Sequence, residues 1–297
     1  ALRQLLASAP SAERHQLIVG FAEHLVIPRF PEPVGDEPRG SARNRAQQAK
    51  SDQLVQSIRA NREARYAQLE GMLAGLGAGI EVRERYWLTS ALLVEAPLGA
   101  VERIAGLPDV VSVELRYSGE PPPQQAATVA NARQAINSDP YFSLGVHDTW
   151  VGLLDTGVHA AHRLLSNPSN LGLLRDCVTG GADCNTGANL DPDDVQNHGT
   201  ATAAIITANS RMQDPFRGVT ASRVDSYRVY PPHSVDRAAA KRGFQAAVNM
   251  LDKVVIAEIQ AGGDDRSDLA QAADNAYDSG VAVIAANGNY GPNPSTV

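Results

Sequence analysis

The sequence predicts an α/β fold built on a parallel sheet, preceded by a small α+β unit. Three observations carry this. From Trp150 onward, short apolar strands alternate with helical stretches, the pattern of a parallel sheet with helices on its faces. The first third instead runs β-α-β-β-α-β. Between them stand Pro121, Pro122 and Pro123 in a row, which read as an extended linker. The expected division is residues 1–118 for the first unit with its N-terminal extension, 119–137 for the linker, and 138–297 for the second unit.

The elements follow in order. Residues 13–21 (ERHQLIVGF) hold a compact apolar run suited to a strand. A Pro-rich excursion over 28–38 cannot be regular helix. Across 41–76, Leu54, Ile58, Tyr66, Leu69, Met72 and Leu73 recur near the helical period. Residues 79–87 and 90–96 are strand-like and separated by a tight break; 97–105 is a short helix and 109–115 a last strand. This is the split arrangement of a ferredoxin-like fold. After the linker, 126–137 is a polar helical stretch. Strand 151–155 leads into a polar loop, and a helix starts near His198. Strand 224–229, helix 236–251, strand 254–259, helix 268–279 and strand 281–286 complete the alternation. Groups that do chemistry in such a sheet sit at the carboxyl ends of its strands.

Composition narrows the function. With 297 residues, 43% hydrophobic and 20% charged, the chain is long enough for a large buried core. A net charge of -7 argues against nucleic acid as a partner. No apolar run reaches the roughly 20 residues that span a membrane. The opening ALRQLLASAP is too short and interrupted for a secretory signal; either a leader has been removed or the sequence starts inside its gene. Cys177 and Cys184 share one Gly-rich polar stretch, where they are either a local disulfide, which points outside the cytoplasm, or two free thiols.

Three short motifs carry chemistry. In Val151-Gly-Leu-Leu-Asp155-Thr-Gly157, an apolar strand delivers an acid at its end and Gly157 permits a sharp turn. Alone, this Asp reads equally as a turn cap. In Gln196-Asn-His198-Gly-Thr200, a His opens an Ala-rich helix that projects to the same sheet edge. In Val281 to Gly291, a buried strand ends in Asn287-Gly-Asn289, exposing an amide that can donate to an oxyanion; alone, it is also an ordinary Asn-Gly turn. Asp155-Thr-Gly-Val-His lacks the spacing of a dinucleotide-binding loop.

Taken in this order, LLDTGV, NHGTATAA and AANGNYGPNPSTV resemble the subtilisin-like serine proteases, or subtilases. The resemblance implies that Asp155 and His198 are the catalytic acid and imidazole and that Asn289 is the oxyanion donor. Residues 254–265 resemble the family's substrate-pairing segment, which makes Gln260, Ala261 and Gly262 the cleft lining and implies an edge open to an extended peptide. HQLIVGF, VRERYWLTSALLVEAP and AVERIAGLPDVVSVEL resemble the family's inhibitory propeptide domain. The implied partners are a protein or peptide substrate and the chain's own prodomain as intramolecular inhibitor. The implied setting is secreted or periplasmic. Cofactors and metals are not expected: where many members place an acidic calcium ligand, this chain has Leu164, and His159 and His162 read as loop residues. Asp191, Asp193 and Asp194 read as solvated turn residues.

The match lacks the family's Gly-Thr-Ser-Met-Ala type turn, which carries the nucleophile. Ser295 belongs to the stretch before it. The Ser is therefore expected beyond Val297, on a continuation of the chain or on a second chain, because a parallel sheet cut mid-domain leaves apolar edges bare. The alternative is a pseudoprotease or regulatory peptide-binding module without hydrolysis. If the protein matures itself, mass spectrometry of the complete protein will find a serine-dependent cut between Glu114 and Asn137; its absence rules out self-maturation.

Overall fold

The structure, a computed structural model, describes residues 2–35, 37–77, 79–118, 129–144, 149–166, 169–208, 216–262, 265–286 and 288. After a short helix α1 (Leu2–Ser8), the first unit sets out β1 (Arg14–Phe21), α2 (Ala42–Gly75), β2 (Glu81–Arg85), β3 (Ala91–Pro97), α3 (Val101–Ala105) and β4 (Val110–Leu115). The four strands form one antiparallel sheet in the order β2-β3-β1-β4. One face packs on the second half of α2 through Tyr66, Leu69 and Leu73, and on α3 through Val101 and Ile104. The other face presents Ile18, Tyr86, Ala91 and Leu93 and meets Ala238 of the second unit. Both faces are covered, so β1 and β3 are buried almost throughout rather than at alternate positions.

A two-residue strand β5 (Tyr117–Ser118) leaves this sheet, and helices α4 (Val129–Ile136) and α5 (Asp139–Ser143) precede the second one. There follow β6 (Trp150–Asp155), β7 (Leu171–Asp176), α6 (His198–Thr207), β8 (Arg223–Arg228), β9 (Val235–Asp236), α7 (Arg237–Asn249), β10 (Val254–Ala257), α8 (Asp268–Asp278) and β11 (Ala282–Ala285). Five of these strands form a parallel sheet, ordered β11-β10-β6-β8-β7, with β6 at its centre. Val151, Leu153 and Val224 pack against Ala203, Ala204 and Ile206 of α6. A second core holds Leu154, Tyr227 and Val255 with Phe244 of α7 and Ala272 and Ala276 of α8. Helices thus cover both faces, as the alternation predicts. The small β5–β9 pair joins the two units, with Tyr117 opposite Asp236.

One strand departs from the sequence reading, and the two cysteines take one of the alternatives it left open. β7 is a strand where a polar loop is expected. It is an edge strand, bonded only to β8 and mostly half-buried, so it needs no strong apolar run. The Cys177–Cys184 pair is a disulfide, and both residues are fully buried despite their polar neighbours. Among the described residues, no helix is long and apolar enough to cross a membrane.

The Pro-rich excursion is held by one side chain. Asn44, 1% exposed, accepts from the Val34 amide at 2.8 Å and donates to the carbonyls of Val34, Glu37 and Pro38 at 3.0–3.1 Å. Asn44→Ala leaves these groups without their partner. It is expected to lower unfolding free energy by about 2–3 kcal/mol, read by chemical denaturation.

Candidate active site

The site forms where β6 ends. Six residues of the central strand are buried in succession, and the last is Asp155. Gly157 then turns the chain at φ +105°; a side chain there would sit 2.3 Å from the Asp193 carbonyl oxygen. Helix α6 starts against this turn. A Cβ on Gly199 would lie 2.1 Å from the Gly157 carbonyl oxygen and 3.2 Å from the Asp155 side chain. Two glycines therefore allow the strand end and the helix start to approach closely enough for their side chains to meet.

They meet as a hydrogen-bonded pair. The His198 Nδ1 lies 2.8 Å from one Asp155 oxygen and 3.0 Å from the other. Asp155 has no exposed surface and His198 is 5% exposed. The carboxylate also accepts the Thr156 amide at 2.6 Å. Burial pushes the Asp155 pKa up, against the His198 bond and charge and the Thr156 amide, which favour the ionised form. Burial pulls the His198 pKa down, but the Asp155 bond and charge, aided by the charges of Glu258 and Asp194, more than offset this. The ring ends above its ordinary value. A carboxylate on Nδ1 fixes the neutral tautomer with its proton there, which makes Nε2 the basic nitrogen.

Asp194 builds the frame around this pair, contrary to its reading as a solvated turn residue. Its carboxylate accepts the Thr156 hydroxyl at 2.7 Å, the Thr200 hydroxyl at 2.6 Å, the Thr200 amide at 2.8 Å and the Gln196 amide at 2.9 Å. Thr156 in turn accepts the Gly199 amide at 2.9 Å. One carboxylate thus ties the end of β6 to the first turn of α6, and it supplies the capping acceptor that Asn197, at φ +63°, does not. The sequence signal was present as Asp-x-x-x-His, but such spacing is common in turns. Asp193 instead pairs with His159 at 3.0 Å on the surface.

The remaining expected site residues are placed as follows. Asn289 lies outside the described residues, as do Asn287 and Ser295. Gln260 and Ala261 are half-buried and Gly262 is exposed, in the segment that leaves β10. β10 itself is flanked by β6 and β11, so the strand is not an edge; only the stretch past Glu258, whose amide bonds the Leu154 carbonyl, leaves the sheet. The Gln260 amide donates to the Tyr230 hydroxyl at 3.1 Å, and the Gly262 carbonyl accepts from Arg237. Glu258 was missed. It follows Ala257, the β10 partner of Leu154, and so stands beside Asp155 at the sheet's carboxyl end. Burial and the Asp155 charge raise its pKa.

Comparison with known proteins gives one family match. The model of the subtilase family matches residues 147–297. Among solved structures, the epidermin leader peptide processing serine protease (EpiP) of Staphylococcus aureus is similar at TM-score 0.58 and 16% identity, over 93% of this chain and 60% of that one. A serine-to-alanine mutant of the same enzyme matches at TM-score 0.59 and 16% identity, over 94% and 62% of the two chains. The nisin leader peptidase NisP of Lactococcus lactis matches at TM-score 0.43 and 26% identity, over 54% and 49%. The chain therefore spans about three fifths of the EpiP structures it matches.

Two outcomes are expected. By NMR, the His198 ring in the folded protein titrates above the ~6.5 of a free imidazole. Asp155→Asn moves that midpoint down, because burial then acts with less opposition; an unmoved midpoint would show that the carboxylate does not hold the ring. Asp194→Ala leaves the Thr156 and Thr200 hydroxyls and two amides without their acceptor, and is expected to lower unfolding free energy by about 2–3 kcal/mol. Chemical denaturation checks this.

Proposed function

The chain belongs to the subtilase family, and from that premise we propose that it is the greater part of a serine endopeptidase precursor that cleaves peptide bonds through an Asp-His-Ser triad. The observation that carries the reading is the buried Asp155 carboxylate on His198 Nδ1. Asp155 orients the ring and stabilises the imidazolium. His198 Nε2 takes the proton from a Ser supplied by sequence beyond Val297, and the alkoxide attacks the scissile carbonyl. The proton passes to the leaving amine, and water then releases the acyl-enzyme. Asn289 donates to the oxyanion, and Gln260, Ala261 and Gly262 line the substrate cleft. These roles rest on the match of their motifs.

We read the first unit, residues 1–118, as a ferredoxin-like inhibitory prodomain, 119–137 as the activation region, and 138–297 as the first part of the catalytic domain. The strand order supports this reading, and so does the way the unit docks. Arg116 donates to Asp236 through Nε and one terminal nitrogen, at 2.9 and 2.6 Å. Glu114 accepts the first amide of α8, from Asp268, at 2.9 Å. Together these lead the chain out of β5 beside the start of α7, on the way to the linker. The buried disulfide supports a secreted or periplasmic setting.

A fluorophosphonate probe on the complete protein tests the proposal. The expected result is covalent labelling of one Ser, lost in His198→Ala and weakened when the uncut first unit is present. Peptide binding without labelling would favour the non-hydrolytic reading.

A further inference from the structure

We propose that Glu258 is a further positioning residue of the site, a second fixed carboxylate beside Asp155 that acts on the chemistry through the charge it sets next to the His198 ring. This deepens the reading of His198 as the general base and rests on it.

The sheet dictates the placement. β10 runs parallel to β6 with Val254 opposite Val151 and Ala257 opposite Leu154, so the next step of the register sets Glu258 opposite Asp155. Side chains alternate between the faces of a strand. On β6, Val151 and Leu153 pack in the α6 layer and Leu154 in the α7 layer. On β10, Val254 and Ile256 pack in the α6 layer, Val255 and Ala257 in the α7 layer. Asp155 and Glu258 therefore share the α6 face, and His198 opens α6. Both backbone groups of Glu258 are tied. Its amide donates to the Leu154 carbonyl at 3.0 Å, and its carbonyl accepts the Tyr230 hydroxyl at 2.9 Å. Tyr230 has no exposed surface, and its hydroxyl also accepts the Gln260 amide at 3.1 Å. β6 has turned away at Gly157 by this point, and the Tyr230 hydroxyl stands in for its next rung. Glu258 is thus locked in position as firmly as a residue inside the strand.

Three carboxylates act on the ring, and they are not alike. Asp155 bonds it directly. Asp194 disperses its charge over four donors from Thr156, Gln196 and Thr200. Glu258 is half-buried, and among the described residues no hydrogen-bond donor meets its carboxylate; the opposite charge acting on it is that of the imidazolium. Burial and then the Asp155 charge push the Glu258 carboxyl up, and the His198 charge opposes them. For His198, burial pulls down, the Asp155 bond and charge push up, and the Glu258 charge adds to that push ahead of Asp194. The sign for the reaction follows. An anion at Glu258 holds the proton on the ring to higher pH, and it favours the imidazolium that forms when the ring takes a proton from the nucleophile. Without it the ring gives up its proton at lower pH, and the neutral ring is a weaker base.

The test is an NMR titration of the complete protein. In the wild type, the Glu258 carboxyl resonance is expected to show a step at the His198 midpoint, because each charge favours the other. Glu258→Gln keeps the shape and removes the charge. It is expected to move the His198 midpoint down, by less than Asp155→Asn does, while Glu258→Asp keeps most of the wild-type value. In peptide hydrolysis, the pH profile of kcat/KM for Glu258→Gln is expected to cross that of the wild type. It falls a few-fold on the alkaline plateau, where the ring is a weaker base, and rises on the acid limb, where more of the ring is neutral. A residue that only supported the fold would lower both limbs by the same factor, and that result overturns the proposal. So does a His198 midpoint unmoved by Glu258→Gln. If that variant does not fold, a wild-type Glu258 resonance with no step at the His198 midpoint overturns it instead. The titration needs no nucleophile. A ring that responds to Glu258 in a protein that no fluorophosphonate labels would sink the reading of the reaction and leave the coupling standing.

Discussion

Helix α7 is buried on every side, and the arrangement of the molecule depends on how its charged stripe is satisfied. Arg237, Lys241, Arg242 and Gln245 are each 8% exposed or less. Buried charges and amides are costly unless paired, so each needs a partner at a defined place. Glu114 and Asp268 both bond Arg237. The Lys241 ammonium sits 5.0 Å from the Tyr86 ring centre. Arg242 bonds Glu84 and the Cys177 carbonyl, which the disulfide loop presents. Gln245 accepts the amides of Trp87 and Leu88. Glu84, Tyr86, Trp87, Leu88 and Glu114 among these partners are on the first unit. The helix thus dictates the register in which the four-stranded sheet lies over it.

This explains what could and could not be read from the residues alone. Both sheets follow from local pattern: the β-α-β-β-α-β order and the strand–helix alternation needed no tertiary knowledge. The near-continuous apolar runs in β1 and β3 also carried a message, since an antiparallel sheet with one wet face would alternate. They announce a second covered face without saying what covers it. The stripe on α7 reads the opposite way. Arg, Lys and Gln at helical spacing look like a solvent face, because partners from β2, β4 and the turn after β2 are far away in sequence. β7 escaped notice for a related reason, being an edge strand with little apolar demand.

The site shows the same division. Asp155 and His198 stand out because the chemistry needs an acid at a strand end and an imidazole at a helix start. Asp194 does not, because three aspartates in a turn are ordinary and only the threonines at 156 and 200 give one of them a structural task. Arg39 was equally silent. It lies in a proline-rich stretch with no periodicity, and it bonds two carboxylates, Asp225 and Asp252, that the parallel sheet brings together.

The two surfaces that meet at α7 are unlike. On the first unit the covered patch sets the carboxylates of Glu84 and Glu114 around an apolar group of Ile18, Tyr86, Ala91 and Leu93; on the second, basic and amide side chains flank Ala238 and Phe244. Parted, they would fare differently in water. The helix would hydrate readily, while the sheet would be left with a greasy flank and a strong tendency to clump or be degraded. Separation of the halves would therefore cost the departing piece more than the helix it leaves.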